Sequence, residues 1–509
     1  MPPAENIGSL WRLFLKGVKT MNFADLLRKE ATWTRTENGA HALCTTSDAL
    51  LDMFSSLAAM RGKNHQELIK RFELAYLEDP LGALRCLFYI RDIRGGQGER
   101  NIFDIILHHA ATRYPEIISY NLPCIPHYGR WDDLYALVGT PVEAEMWQFV
   151  KAQLLQDLQN MEASKPVSLL AKWLKKANSS NADTKAMGIY TAKQLGYSIY
   201  DYKRICSALR KYLDVTEVKM SANRWDAINY SHVPSRAMMI YRKAFRTHDP
   251  QRFDAYLCAV EKGEEVIHSA TLYPYDIVEK ILYKNDTSPV LNAQWEALPN
   301  YVQEGGNFLI MADVSGSMRG RPMASSIALA AYFAERNQGA YHNLFMTFSE
   351  RPQIVQMQGR DIFDKVHFIS KADWGYSTNF EAAMELVINV AVQNQCTQEE
   401  LPKAVICVTD MEFNRASRMD RVTYTDHIQQ MFAAHGYTAP VLVFWNVNSR
   451  NDVFHANHGD HSVIQVSGQS ASTFENLIRY INGEKILTPV DFMYAVLNGE
   501  RYEMIRLPE

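Results

Sequence analysis

In the stretch DVSGSM, Asp313, Ser315 and Ser317 set one carboxylate and two hydroxyls at alternate positions. In a loop, such a spacing lets three oxygens converge on one point. Two further oxygens stand at comparable places: Thr378 in GYSTNF, with Ser377 beside it as the alternative, and Asp410 at the end of AVICVTD. A set made only of oxygens, with low formal charge, suits a hard divalent cation such as Mg²⁺. Taken alone, DVSGSM reads as a strand-to-helix turn with an N-cap. Three such loops in order favour a metal. No histidine or glutamate in these stretches stands as a general base, and no nucleophile has a base beside it. The chemistry expected is binding without catalysis.

The elements that would position these residues follow from periodicity. The runs FLIMAD, NLFMTFS, QIVQM, KAVICVTD, PVLVFWNV and SVIQVSG read as strands. Helical stretches such as PMASSIALAAYFAERN and NFEAAMELVINVAVQN lie between them, and TDHIQQMFAAHG and STFENLIRYING follow later. Strand–helix alternation predicts a doubly wound α/β (Rossmann-like) domain over 300–485, whose ligands sit at the carboxyl ends of the strands. Before it, apolar residues recur at helical spacing, as in HQELIKRFELAYLEDPLGALRCLFYIRDI, and no strand is expected. An α-helical repeat domain, a HEAT-like solenoid, is predicted over 1–295, although no repeat of fixed period is present. Residues 486–509 form a short amphipathic tail expected to pack back on the body.

With its three loops in order, DVSGSM, TNF and TDMEF, the chain resembles the von Willebrand factor A domains, in which such oxygens hold a divalent ion and a partner's carboxylate completes its shell. Asp313, Ser315, Ser317, Thr378 and Asp410 carry that resemblance. Together with TENGAHA, RDIRGGQGER, IPHYGRWDDL, LLAKWLKKANSS and DVTEVKMSANRWDAINYSHVPSRAM, the chain resembles the Ro/TROVE class, closest to a Ro-like family of bacteria, phages and plants. There a ring of helical repeats precedes the A domain. The resemblance implies RNA binding, of small non-coding or misfolded RNA, on a basic outer surface and in the central hole.

The charge distribution gives independent support. The whole chain carries a net charge of −4, yet residues 166–246 hold fifteen Lys or Arg against five Asp or Glu. Candidate RNA contacts there are Lys172, Lys175, Lys176, Lys203, Arg204, Arg210, Lys211, Lys219, Arg224, Trp225 and Arg236. Cations of this kind neutralise phosphates, and interleaved aromatics stack on unpaired bases. Each single residue is also compatible with a solvated helix face or a core aromatic. The expected function is therefore non-catalytic RNA binding. The alternative is a protein adaptor that uses the metal to hold a partner's carboxylate, without RNA.

Bulk properties fit this reading. With 509 residues, 47% hydrophobic and 22% charged, the chain is an ordinary globular sequence of about two to four domains. Seven scattered cysteines form no CxxC pair, and no run reaches the roughly 18 apolar residues of a membrane span. A cytoplasmic monomer is expected. Three other motifs invite chemistry and are better explained otherwise. GGQGER lacks the Lys-Ser/Thr of a phosphate loop and reads as a tight turn. HANHGDH spaces His455, His458 and His461 like a transition-metal site, but within a connection between strands. Asp132 and Asp133 in GRWDDL are adjacent, so they suit capping or ion pairing better than acid–base work.

Overall fold

The computed structural model describes residues 31–302, 307–372, 378–415, 422–481 and 488–508. Ser377 and residues 1–30 of the expected helical domain lie outside the described residues. The helices of eight residues or more in the first part are α1 (Ala49–Ser56), α2 (His65–Glu78), α3 (Pro80–Arg91), α4 (Arg100–Arg113), α5 (Glu143–Glu162), α6 (Ala182–Leu195), α7 (Ile199–Tyr212), α8 (Ser235–His248), α9 (Pro250–Glu261), α10 (Pro274–Lys284) and α11 (Pro289–Glu296). Their boundaries follow local chemistry. Asp79 closes α2 and caps α3, its Oδ1 accepting from the Gly82 N–H at 2.9 Å, with Pro80 fixed at the first helical position.

The first part is not wholly helical. β1 (Trp33–Arg35) and β2 (His41–Leu43) form an antiparallel hairpin around the turn Thr36-Glu37-Asn38-Gly39, where Gly39 has φ +86°. Asn-Gly is a strong hairpin signal, outweighed in the sequence by the helical periodicity downstream.

The second part is a six-stranded sheet in the order β5-β4-β3-β6-β7-β8. Its strands are β3 (Phe308–Ala312), β4 (Leu344–Thr347), β5 (Ile354–Gln356), β6 (Ala404–Thr409), β7 (Val441–Asn446) and β8 (Val463–Ser467). All neighbours are parallel except β4 and β5. Each of the six apolar runs thus forms a strand. From β3 the chain proceeds to β4 on one side, and from β6 to β7 on the other. The order reverses between β3 and β6, which opens a crevice at their carboxyl ends. The accompanying helices are α12 (Arg321–Arg336), α13 (Ile362–Ser370), α14 (Phe380–Gln393), α15 (Tyr424–Ala433), α16 (Thr473–Ile481) and α17 (Pro489–Leu497). Among the described residues no helix is long and apolar enough to cross a membrane.

The period changes near residue 300, but the hydrophobic core does not break there. Alternate residues of β3 face opposite sides: Leu309 and Met311 pack with Met384, Ile388 and Ile428, whereas Ile310 and Ala312 join the core that also holds Leu50, Phe54 and Leu57. Helix α1, from the first part, lies against β7 and β8, and the Ser467 hydroxyl donates to Phe54 O at 2.8 Å. Helix α10 packs along α12, and α17 packs on α1, α3 and β8. Cutting between the two parts would expose an apolar face on each.

Candidate functional site

Two places concentrate polar and charged groups: the crevice between β3 and β6, and a cavity among the helices.

In the crevice, Asp313 follows β3 directly, and its N–H bonds to Val408 O of β6 at 2.9 Å. Its Oδ1 accepts from the Ser315 N–H at 2.8 Å and its Oδ2 from the Thr409 hydroxyl at 2.8 Å. Burial, together with the neighbouring Asp410 carboxylate, pushes its pKa up to about 6. The Ser315 and Ser317 hydroxyls are 3.0 Å apart. Asp410 follows β6; its Oδ1 accepts from the Glu412 N–H at 3.2 Å. Its Oδ2 is buried without a hydrogen bond, 3.2 Å from Arg450 Nη2. Thr378 precedes α14, which Asn379 caps through the Ala382 N–H. The buried Thr378 hydroxyl is committed elsewhere: it donates toward Glu412 O at 2.9 Å and lies 3.2 Å from Asn414 Oδ1.

For a divalent ion this set fits in part. Asp313, Ser315, Ser317 and Asp410 share one crevice, and the orphaned Asp410 Oδ2 has a lone pair to offer. The buried Thr378 hydroxyl would have to give up its bond to the Glu412 carbonyl to join them. Among the described residues no group of three His, Cys, Asp or Glu side chains forms a metal site. The crevice offers two carboxylates and otherwise hydroxyls.

The hairpin closes one side of this crevice. The Asn38 amide donates to Glu412 O at 2.6 Å and reaches Thr378 Oγ1 at 3.4 Å, and the Glu37 N–H donates to Glu412 Oε2 at 2.6 Å. The loop it holds contains Met411 at φ +70°, an uncommon conformation for a side-chain-bearing residue. Behind it, His455 stacks on Phe413 at 4.2 Å and donates from Nε2 to Met411 O at 2.8 Å. Burial holds its pKa down at about 4, so the ring is neutral. His458 bonds to Thr46 O at 3.0 Å. HANHGDH therefore braces the loop and the segment before α1, and its histidines do not come together on a metal.

The cavity has a volume of about 1280 Å³ and lies mainly among the helices. Ten cationic side chains line it: Arg61, Arg91, Arg94, Arg100, Arg130, Lys172, Lys176, Arg210, Arg236 and Arg321; the acids are Glu99 and Glu217. Trp131, Trp173, Tyr241, Tyr273 and Tyr275 add aromatic faces, and the Arg130 guanidinium lies 4.4 Å from the Trp173 ring centroid. Several cations are balanced from behind the wall. Arg91 pairs with Asp133 at 2.7 Å, Arg100 with Asp132 at 2.8 Å and Asp133 at 2.9 Å, and Arg236 with Asp276 at 3.0 Å. Crowded by burial and by Asp133, Asp104 is pushed up to about 7. Among the described residues no carboxylate pairs with Arg94, Lys172, Lys176 or Arg210.

Residues 36–186 and 167–308, together more than half of the chain, match a family described as a domain of unknown function, DUF2828. The chain belongs to the DUF2828 family. Residues 307–486 of this DUF2828 protein match a second domain of unknown function, DUF7788. The chain is also 28% identical, over 504 residues, to an uncharacterized protein of Acanthamoeba polyphaga mimivirus, covering 91% of this chain and 86% of that one. No solved structure matches.

Of the basic residues singled out in this DUF2828 sequence, Lys172, Lys176, Arg210 and Arg236 reach the cavity. Arg210 is partly structural, donating to Ala171 O at 2.7 Å and Leu174 O at 2.8 Å. Lys175, Lys203, Arg204, Lys211, Lys219, Arg224 and Trp225 are not on its wall. Lys219 pairs with Asp214 at 2.7 Å, and Arg204 lies 3.7 Å from Asp201. Trp225 is a packing residue, stacked on His248 at 4.3 Å with its Nε1 donating to Asn223. The sequence reading missed Arg61, Arg91, Arg94, Arg100, Arg130 and Arg321. A signal existed: RDIRGGQGER carries three arginines in ten residues, and its turn, pinned by Gln97 on the Thr473 hydroxyl at 2.6 Å, delivers them to the wall.

Proposed function

We propose that this protein is a non-catalytic, Ro-like RNA-binding protein. In this reading the first part is a HEAT-like helical scaffold whose cavity receives RNA, and the second is a von Willebrand factor A-like domain that holds Mg²⁺ or another divalent ion in its crevice. The observation that carries the RNA reading is the cavity's composition. Ten cations face two acids beside five aromatic rings, and Arg94, Lys172 and Lys176 have no carboxylate partner among the described residues. Cations without a carboxylate partner beside the half-buried rings of Trp131, Trp173 and Tyr241 match a chain of phosphates bearing unpaired bases. In this reading the metal's chemistry in the crevice is binding, with Asp313, Ser315, Ser317 and Asp410 as its holders and Thr378 beside them.

The test is fluorescence anisotropy with labelled single-stranded and hairpin RNAs across a salt series, on the wild type and an Arg94→Ala/Lys172→Ala/Lys176→Ala variant. Of these three side chains Arg94 ties one other segment, its Nη1 donating to His127 O at 3.2 Å, so the variant should stay close to the wild type in urea denaturation but bind RNA about 10- to 100-fold more weakly. For a single strand its salt slope should fall by about 2, near 0.7 for each phosphate that is no longer neutralised. Equal affinity and slope would remove the cavity from RNA binding. Retention of a protein partner in a metal-dependent way, with no RNA bound, would favour the adaptor reading.

A further inference from the structure

Arg450 lies on the loop after β7, and its guanidinium is divided between two carboxylates from distant segments. Nη2 is 3.2 Å from Asp410 Oδ2, and Nη1 is 2.7 Å from Glu37 Oε2 on the hairpin turn. An arginine fork normally meets one carboxylate with two parallel bonds. Here it does not: Arg450 Nε is buried without a hydrogen-bond partner, and so is Asp410 Oδ2, although the two residues are in ionic contact. The guanidinium balances the charge of a fully buried Asp410 side chain without satisfying its geometry. Among the described residues no cation pairs with Asp313; its oxygens are met by the Ser315 N–H and the Thr409 hydroxyl.

We propose that Arg450 is the resident counter-cation of the crevice, and that a divalent ion binds by displacing its guanidinium from Asp410. The proposal rests on the metal reading above. An ion bound to Asp410 at about 2.1 Å, as Mg²⁺ requires, would bring two positive charges against a guanidinium at contact distance, so the two exclude one another. The backbone around Arg450 stays in place, because Lys63 donates to Arg450 O, the Ser449 N–H donates to Ala59 O at 3.0 Å, and Arg71 pairs with Asp452. The side chain is what moves, and it has somewhere to go: it is about a third exposed, and Glu37, itself about half exposed, already holds its other edge. Asn451 ties the same loop to Glu37 at 2.9 Å and Glu412 at 2.8 Å. Occupancy of the crevice is thereby read at the hairpin turn as a redistribution of Arg450 from two carboxylates to one.

The experiment uses Mn²⁺ and the full chain. Calorimetric titration of wild type, Arg450→Gln, Arg450→Lys and Asp313→Ala should give about tenfold tighter binding for Arg450→Gln. Arg450→Lys, which keeps the charge, should bind as the wild type does within a few-fold, and Asp313→Ala should bind at least about 100-fold more weakly. Equal or weaker binding by Arg450→Gln, with the wild type binding and Asp313→Ala not, would overturn the displacement while leaving the metal reading intact. Identical weak binding by all four would end the metal reading and this proposal with it. A measurement on the wild type alone guards against a variant that does not fold. Modification of Arg450 by phenylglyoxal, followed by peptide mass spectrometry, should speed up at least threefold with saturating Mn²⁺. An unchanged or slower rate would also overturn the displacement.

Discussion

The crevice and the cavity both gather charge, and they balance it in opposite ways. In the crevice every carboxylate is answered from within the chain: Asp313 by an N–H and a hydroxyl, Asp410 by Arg450, and Glu412 by Glu37 N–H and Asn451. In the cavity the acids behind the wall neutralise Arg91, Arg100 and Arg236, while Arg94, Lys172 and Lys176 are left facing the space. Where charge is already balanced, a ligand must compete with a protein group. Where it is not, a ligand meets waiting charge. The expected salt behaviour differs accordingly, steep for the cavity and shallow for the crevice.

The largest effect is expected where the cavity wall is buried. Arg91 and Asp133 are almost wholly enclosed, and Arg91→Ala leaves Asp133 with Arg100 as its remaining cation. Stability should drop by about 3–5 kcal/mol in urea denaturation, since the change takes one of two cations from a carboxylate buried in the wall. A loss below about 1 kcal/mol would mean that the wall is held by packing and not by its ion pairs. Behind the crevice, His455 gives a pH signature. Its pKa is lowered from 6.5 to about 4 in the folded chain, so the unfolded chain binds the extra proton between those values. The contribution is fully present above about pH 6.5 and is lost as pH falls toward 4, to a total of about 3 kcal/mol. Urea denaturation at several pH values should show that loss in the wild type and a smaller one in His455→Phe, which keeps the stacked ring. A parallel loss in both would place the titration elsewhere. The smallest effect is at the hairpin. Asn38→Ala removes the bond to Glu412 O and should cost about 1 kcal/mol while changing Mn²⁺ affinity only a few-fold. A collapse of metal affinity would make the hairpin part of the site rather than its cover.

Much of the second part was legible from sequence because two physical signals coincided there. Runs such as FLIMA and AVICVT are apolar on both faces, which only a covered parallel sheet explains, and the oxygen-bearing residues stand immediately after them. The first part was harder. Helical periodicity reports that a helix has a buried face, not what covers it, so nothing in the sequence of α1 announced that its cover is β7 and β8. The cavity was only half visible for a related reason. Net charge along the chain found Lys172 and Lys176, but arginines spread over residues 61–130 are each diluted by nearby acids. Only the fold separates Arg94, whose guanidinium pairs with no carboxylate among the described residues, from Arg91, which is paired with Asp133. The hairpin is signalled by Asn38-Gly39, yet the run on either side is too short to stand out against the helical pattern.

The loop that carries Arg94 to the cavity is held at its base by Asp92, whose carboxylate is gripped by Arg501 and by the Tyr502 hydroxyl at 3.1 Å, about 410 positions further along the chain. During synthesis this loop emerges early, and the residues that anchor it are made long afterwards. Because domains usually take shape in the order they leave the ribosome, amino-terminal first, the cavity is an exception: the loop that brings Arg94 to its wall is clamped only when residues 501 and 502 return to Asp92. A nascent chain stalled before Arg501 would carry the cationic wall without the clamp on Asp92, so the cavity should take its final shape late in synthesis.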